Sequence, residues 1–166
     1  MPLPTWDIFI GFAFVVGIAY GFILRREKVV TTLCSTYIGI VVATFFAKYV
    51  FDFFNGNRLF AGQVWIHSNA SISTVSIVVF LIVTFLISGV IISNSSKAGD
   101  VAPFEVIIYS ALNMALIIST VLGFLPEEMH SKYVETSKLA SLILHYNTLW
   151  IILPVIALVI LNFRRK

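Results

Sequence analysis

The run WDIFIGFAFVVGIAYGFIL (residues 6–24), RREK (25–28), VVTTLCSTYIGIVVATFFAKYV (29–50) decides the fold. Residues 8–24 and 29–47 carry no charged side chain, whereas all four residues at 25–28 are charged. Charge is tolerated at lipid headgroups and costly in hydrocarbon, so the pattern predicts two membrane-spanning helices, 6–24 and 29–50, joined by a tight basic turn. At 1.5 Å per residue the first run makes roughly 28 Å, close to the thickness of the hydrocarbon core.

Composition extends that reading to the whole chain. Of its 166 residues, 59% are hydrophobic and 11% charged, with a mean hydropathy of +0.98. A soluble domain carries about a quarter charged residues, so this balance describes a single integral membrane domain over residues 1–166. The net charge of +3 does not point to nucleic acid, because the basic residues sit at the ends of apolar runs. The partners implied are membrane lipid and other membrane subunits or further copies of the chain, with no nucleic acid. The lone Cys34 excludes an internal disulfide, and no basic neighbour makes it a reactive thiolate. Residues 1–7 lack a positive n-region, so the first run is read as a retained helix.

Further spans are predicted at 74–92, 104–125 and 142–163, giving an all-α, polytopic transmembrane bundle of about five spans. Pro103 suits the first turn of the fourth span, with Glu105 beside it, and Pro126 stops that span. Residues 51–73, where aromatic and polar side chains alternate, are read as an interfacial loop. Residues 93–100 form a polar turn, 127–141 a short surface helix with Glu128 and Lys132 one turn apart, and Pro154 is expected to kink the last span.

Small residues recur every four positions on three spans: Ala13, Gly17 and Gly21; Ser35, Gly39, Ala43 and Ala47; and Ala111, Ala115, Ser119 and Gly123. Such ridges let helix backbones approach closely. The first two are expected to pack the opening pair of spans against each other. Thr84, Ser88, Ser110, Asn113 and Thr120 are polar groups within the third and fourth spans. They serve either as hydrogen-bonding glue between helices or as the lining of a narrow pore.

Orientation follows from the basic residues. With five spans, Arg25, Arg26, Lys28, Lys97, Arg164, Arg165 and Lys166 share one side, and Lys48, Arg58, Lys132 and Lys138 the other. Seven against four predicts the N-terminus outside and the C-terminus in the cytoplasm.

Chemistry is sparse. The span centres lack Asp, Glu, Lys, Arg and His, which argues against a proton-coupled pump. His67, His130 and His145 form no tight metal-ligand spacing, even with Glu127 and Glu128 on the same side. No nucleophile elbow, SxxK pattern or glycine-rich phosphate loop occurs. No catalytic residue, cofactor or metal is therefore assigned.

The opening resembles one family. Residues 6–10 (WDIFI), the stretch 17–27 (GIAYGFILRRE) and the small residues Gly39 and Ala43 look like the start of the colicin V production protein family, small bacterial inner-membrane proteins. The resemblance implies an inner-membrane location and a role connected with peptide toxin export and envelope maintenance, without catalytic residues to carry over. The sequence thus predicts a non-enzymatic membrane subunit that assembles, through its small-residue faces, with itself or with larger envelope or secretion machinery. The alternative is a small channel or solute transporter.

Overall fold

The computed structural model describes residues 6–54, 71–91 and 103–163. All elements among them are helical: α1 (Trp6–Phe54), α2 (Ile72–Ile91), α3 (Pro103–Gly123), α4 (Glu127–Thr136), α5 (Lys138–His145) and α6 (Asn147–Phe163). Several are long and apolar enough to cross a bilayer, namely Trp6–Ile23 and Glu27–Phe54 within α1, then α2 and α3. The chain is a multi-pass integral membrane protein.

The hairpin is present in an unexpected form. Residues 25–28 do not leave the helix: α1 keeps helical turns from Trp6 to Phe54, and the second arm runs past Val50 to include Phe51–Phe54. Arg, Glu and Lys are good helix formers, and with no Gly or Pro among them nothing local breaks the backbone. Yet the helix reverses. A Cβ at Gly21 would lie 3.5 Å from Val29 Cγ2, although residues eight apart on a straight helix are separated by about 12 Å. The first arm runs to about residue 23 and the second begins near Glu27.

Contacts with α3 fix the direction of each arm. Ile10 clusters with Leu122, Gly17 faces Met114, and Gly21 faces Ser110, so the first arm and α3 are antiparallel. Val29 and Leu33 cluster with Val106 and Tyr109 and Thr36 bonds Asn113, so the second arm runs parallel to α3. α2 returns antiparallel along that arm, with Ser88 at Thr32 and Phe80 and Thr84 at Gly39. α6 lies antiparallel to α3, from Asn147 beside Ser119 to Ala157 and Leu158 against the Val29–Tyr109 cluster.

Two expectations about packing are corrected here. The ridges of the two arms do not face each other; Gly17 and Gly21 receive α3, and Gly39 receives α2. Small residues permit close approach but do not specify the partner. The last span also differs. Its break falls at Tyr146, where α5 and α6 meet at 71°, and not at Pro154, which stays inside α6. Proline removes one backbone donor and disturbs the preceding turn. In that turn the Ile151 carbonyl accepts a hydrogen bond from the Tyr37 hydroxyl at 2.5 Å, which ties the second arm of α1 to α6.

The surface helix expected at 127–141 is divided at Ser137, and its two pieces cap one end of the bundle. Ser137 caps α5 by accepting the Ala140 N–H at 3.0 Å and donates its own hydroxyl to Asp7 Oδ1 at 2.5 Å. The Leu139 N–H donates to the same carboxylate oxygen at 2.9 Å. A carboxylate on a helix N-terminus answers both the unpaired N–H groups and the dipole. Beside it, Trp6 meets Tyr133 edge to face at 4.7 Å. Below, Ala140 and Ile143 close over Ile10 and Leu122. His130 Nε2 lies 2.7 Å from the Leu122 carbonyl; since a carbonyl only accepts, this nitrogen carries the proton, and it finishes the C-terminus of α3.

Close packing makes a graded prediction. A leucine at Gly39 would place its Cβ only 3.2 Å from the Phe80 carbonyl, whereas Gly89 has open space around it. Overpacking typically costs about 1–3 kcal/mol. Gly39→Leu and Gly21→Leu are expected to lower the thermal unfolding midpoint in detergent, and Gly89→Leu to leave it within error. A second prediction concerns the cap: Asp7→Ala should raise amide hydrogen exchange at Leu139 and Ala140 while leaving exchange in α3 unchanged.

Candidate functional site: a polar seam shared by three helix interfaces

The second arm of α1 is rich in hydroxyls, and most bond back to their own helix. Thr31, Thr32, Ser35, Thr36 and Thr44 each donate to the carbonyl four residues earlier, which satisfies a hydroxyl in an environment without water. Thr32 and Thr36 also reach across to neighbours. Thr36 Oγ1 lies 3.0 Å from Asn113 Oδ1 on α3, and Thr32 Oγ1 lies 3.0 Å from Ser88 Oγ on α2. A third pair joins α3 to α6, where the Ser119 hydroxyl donates to Asn147 Oδ1 at 2.6 Å. Thr120 bonds back to Leu116 at 2.7 Å.

Two further hydroxyls, Thr84 Oγ1 and Ser110 Oγ, are buried without a hydrogen-bond partner among the described residues. Each points at a glycine. Ser110 Oγ occupies the place that a Cβ of Gly21 would take, and Thr84 Oγ1 that of Gly39. Such an approach is open only to glycine and gives the oxygen a weak Cα–H donor in exchange for a full hydrogen bond. Trp150 Nε1 is likewise buried and unpartnered among the described residues, and nothing in the structure accounts for it.

The residues singled out from the sequence divide accordingly. Ser35, Gly39, Ala43 and Ala47 are buried, as are Gly21, Ala115 and Ser119; Ala13, Gly17 and Ala111 are half-buried, and Gly123 is exposed at the end of α3. Thr84, Ser110, Asn113 and Thr120 are buried and Ser88 is half-buried. Of these five, Ser88 bonds across to α1 and Asn113 to the second arm of α1, Thr120 bonds back to its own helix, and Thr84 and Ser110 have no partner among the described residues. The backbones of Arg25, Arg26 and Lys28 lie in the reversal, while Arg164, Arg165, Lys166, Lys97, Arg58 and His67 fall outside the described residues, as do 93–100 and most of the 51–73 loop. Among the described residues no group of three His, Cys, Asp or Glu side chains could hold a metal. Cys34 faces outward, and His145 stacks edge to face with Tyr146 at 4.8 Å.

Sequence reasoning missed Thr32, Thr36, Tyr37, Asn147 and the Asp7–Ser137 contact. Signals existed for two of them. An asparagine within an apolar run and a serine just ahead of one both mark helix starts, and each stands at such a start here. Tyr37 and the two threonines carry no such mark.

On the outward side, α2 and Ile117 of α3 border an open apolar groove of about 480 Å³ lined by Phe80, Leu81, Ile82, Thr84, Phe85 and Leu86. Thr84 is the one polar side chain among its lining residues. Comparison of the chain with protein-family models, curated proteins and solved structures finds no match.

The seam yields a coupling prediction. Interhelical hydrogen bonds in membrane proteins average about 0.6 kcal/mol and reach about 1.7. A double-mutant cycle on Thr36→Val and Asn113→Leu, read by reversible unfolding in bicelles, is expected to return a coupling in that range. The same cycle on Thr36→Val and Ser119→Ala, at separate interfaces, is expected to return none.

Proposed function

We propose that this chain is a non-enzymatic integral membrane subunit that assembles with itself or with larger envelope machinery. The observation that carries the reading is the unequal use of its helices. α3 has 50% of its span buried within the chain, whereas α2 has 17% and the first arm of α1 only 11%. The first arm turns Phe9, Phe12, Val15, Val16 and Tyr20 outward, and α2 turns Val78, Ile82, Phe85, Leu86 and Val90 outward. Gly11 and Gly89 on these elements have no neighbour within 4 Å, leaving room for another backbone to approach.

The small-residue ridges themselves no longer support assembly, since Gly17, Gly21 and Gly39 are occupied within the chain. The distribution of polar groups weighs against the channel or transporter reading. A conducting path needs its polar groups free and in one file, and here the Thr32–Ser88, Thr36–Asn113 and Ser119–Asn147 pairs are spent on bonds within three different helix pairs. The membrane is read as the bacterial inner membrane, from the resemblance of residues 6–50. The orientation is N-terminus outside, which puts the reversal of α1 on the cytoplasmic side, as the basic residues require.

The test is the native mass of the protein extracted in mild detergent from its own membrane, with every co-purifying chain identified. Defined multiples of the 18.5 kDa chain, or fixed partners, are the expected result. A lone monomer that passes ions or small solutes in liposomes would replace this reading with the channel.

A further inference from the structure

We propose that α5 is an interfacial anchor: it lies along the bilayer surface and binds membrane lipid through a stripe of Leu139, Leu142 and Tyr146. At 100° per residue the side chains of this short helix and its C-cap fall into three sectors. Ala140 and Ile143 are buried against Ile10 and Leu122, with Leu144 half-buried beside them. Leu139, Leu142 and Tyr146 make a second sector, 39%, 49% and 45% exposed. Lys138, Ser141 and His145 make the third, with Lys138 and His145 exposed. A helix resting on a core in water needs only the first and third sectors, and one submerged in hydrocarbon would not carry the third. All three together match an element at the line where protein, lipid and water meet.

The depth of α5 follows from its two ends. α6 departs from it at 71°, and the 17 residues of α6 make about 25 Å, most of a hydrocarbon core of about 30 Å. The crossing therefore begins at Asn147 and leaves α5 at its edge. At the other end, Asp7 accepts the Ser137 hydroxyl and the Leu139 N–H, which holds α5 level with the head of α1, where Trp6 is exposed. Tyr49 reaches the same level, because Thr36 pairs with Asn113 and equal steps onward along these two parallel helices bring Tyr49 to the junction of α3 and α4. Trp6, Tyr49 and Tyr146 are thus exposed amphipathic rings at one depth, as at a membrane–water boundary. The stripe also continues into an existing lipid-facing surface. The Leu149 N–H bonds the Tyr146 carbonyl, so Leu149 follows Tyr146 by one turn and leads to the outward Ile152, Leu153 and Ile156 of α6. What covers those residues, the acyl chains, also covers the stripe, while Lys138 extends its ammonium toward headgroup phosphates.

The experiment uses the full chain carrying Cys34→Ser, which removes its single cysteine, in liposomes of phosphatidylcholine and phosphatidylglycerol. One spin-labelled cysteine is introduced at a time, and its collisions with oxygen, which concentrates among acyl chains, are compared with those of a water-soluble nickel chelate. Leu139→Cys, Leu142→Cys and Tyr146→Cys are expected to give oxygen-to-nickel ratios several-fold above those of Lys138→Cys and His145→Cys, with Leu149→Cys higher still. Equal ratios in the two exposed sectors, whether both lie in water or both in lipid, overturn the proposal. Shielding of the stripe from both reagents would put a second copy or another chain in the place of lipid, and overturns it equally. The three stripe positions are read separately, so a variant that fails to fold leaves the other two to decide.

Discussion

Inside hydrocarbon a hydroxyl or a freed carbonyl has no water to bond, and this constraint runs through the whole bundle. It accounts for five hydroxyls on α1 that bond back to their own helix, and for the Thr36–Asn113 and Thr32–Ser88 bridges. It also explains the two hydroxyls that settle on glycines. Where a full donor is missing, the backbone comes close enough to offer a weak one, and only Gly21 and Gly39 permit that distance. Polar satisfaction and close packing are here one device.

The device makes α3 the centre of the molecule. It touches both arms of α1 and α6, and its buried face carries Val106, Tyr109, Ser110, Asn113, Leu116, Ser119 and Thr120. α2, by contrast, rests on the second arm of α1, and the lateral groove beside Ile117 separates it from α3 along part of its length. A central helix bonded on several sides and a peripheral one held on one side suit a protein whose outer helices remain available to other membrane components.

Much of this could be read from the residues. The positions of the spans follow from uncharged runs, Pro103 and Pro126 bound α3, and Asn113 stood out as the polar group in mid-span. What could not be read has physical reasons. The RREK cluster marks where headgroups lie, but its residues are all content in a helix, so it says nothing about whether the backbone breaks. A small-residue ridge reports a close approach without naming the helix that makes it. Pro154 announces a weakened turn, yet α6 continues through it. The 71° corner instead falls at Tyr146 and Asn147, where α5 has to lie across the bundle to cover Ile10 and Leu122.

The contact between Asp7 and Ser137 also has a consequence in time. The two residues are 130 positions apart, and every crossing segment up to α3 is made between them. At roughly 5–20 residues per second of synthesis, the carboxylate at the head of α1 waits on the order of ten seconds for its partner. The arms of α1, α2 and α3 can pair as they emerge, but the cap cannot close until the chain has passed α4. Closure of that one contact therefore marks the moment at which α4 and the start of α5 seal the head of α1, with α6 still to be laid against α3.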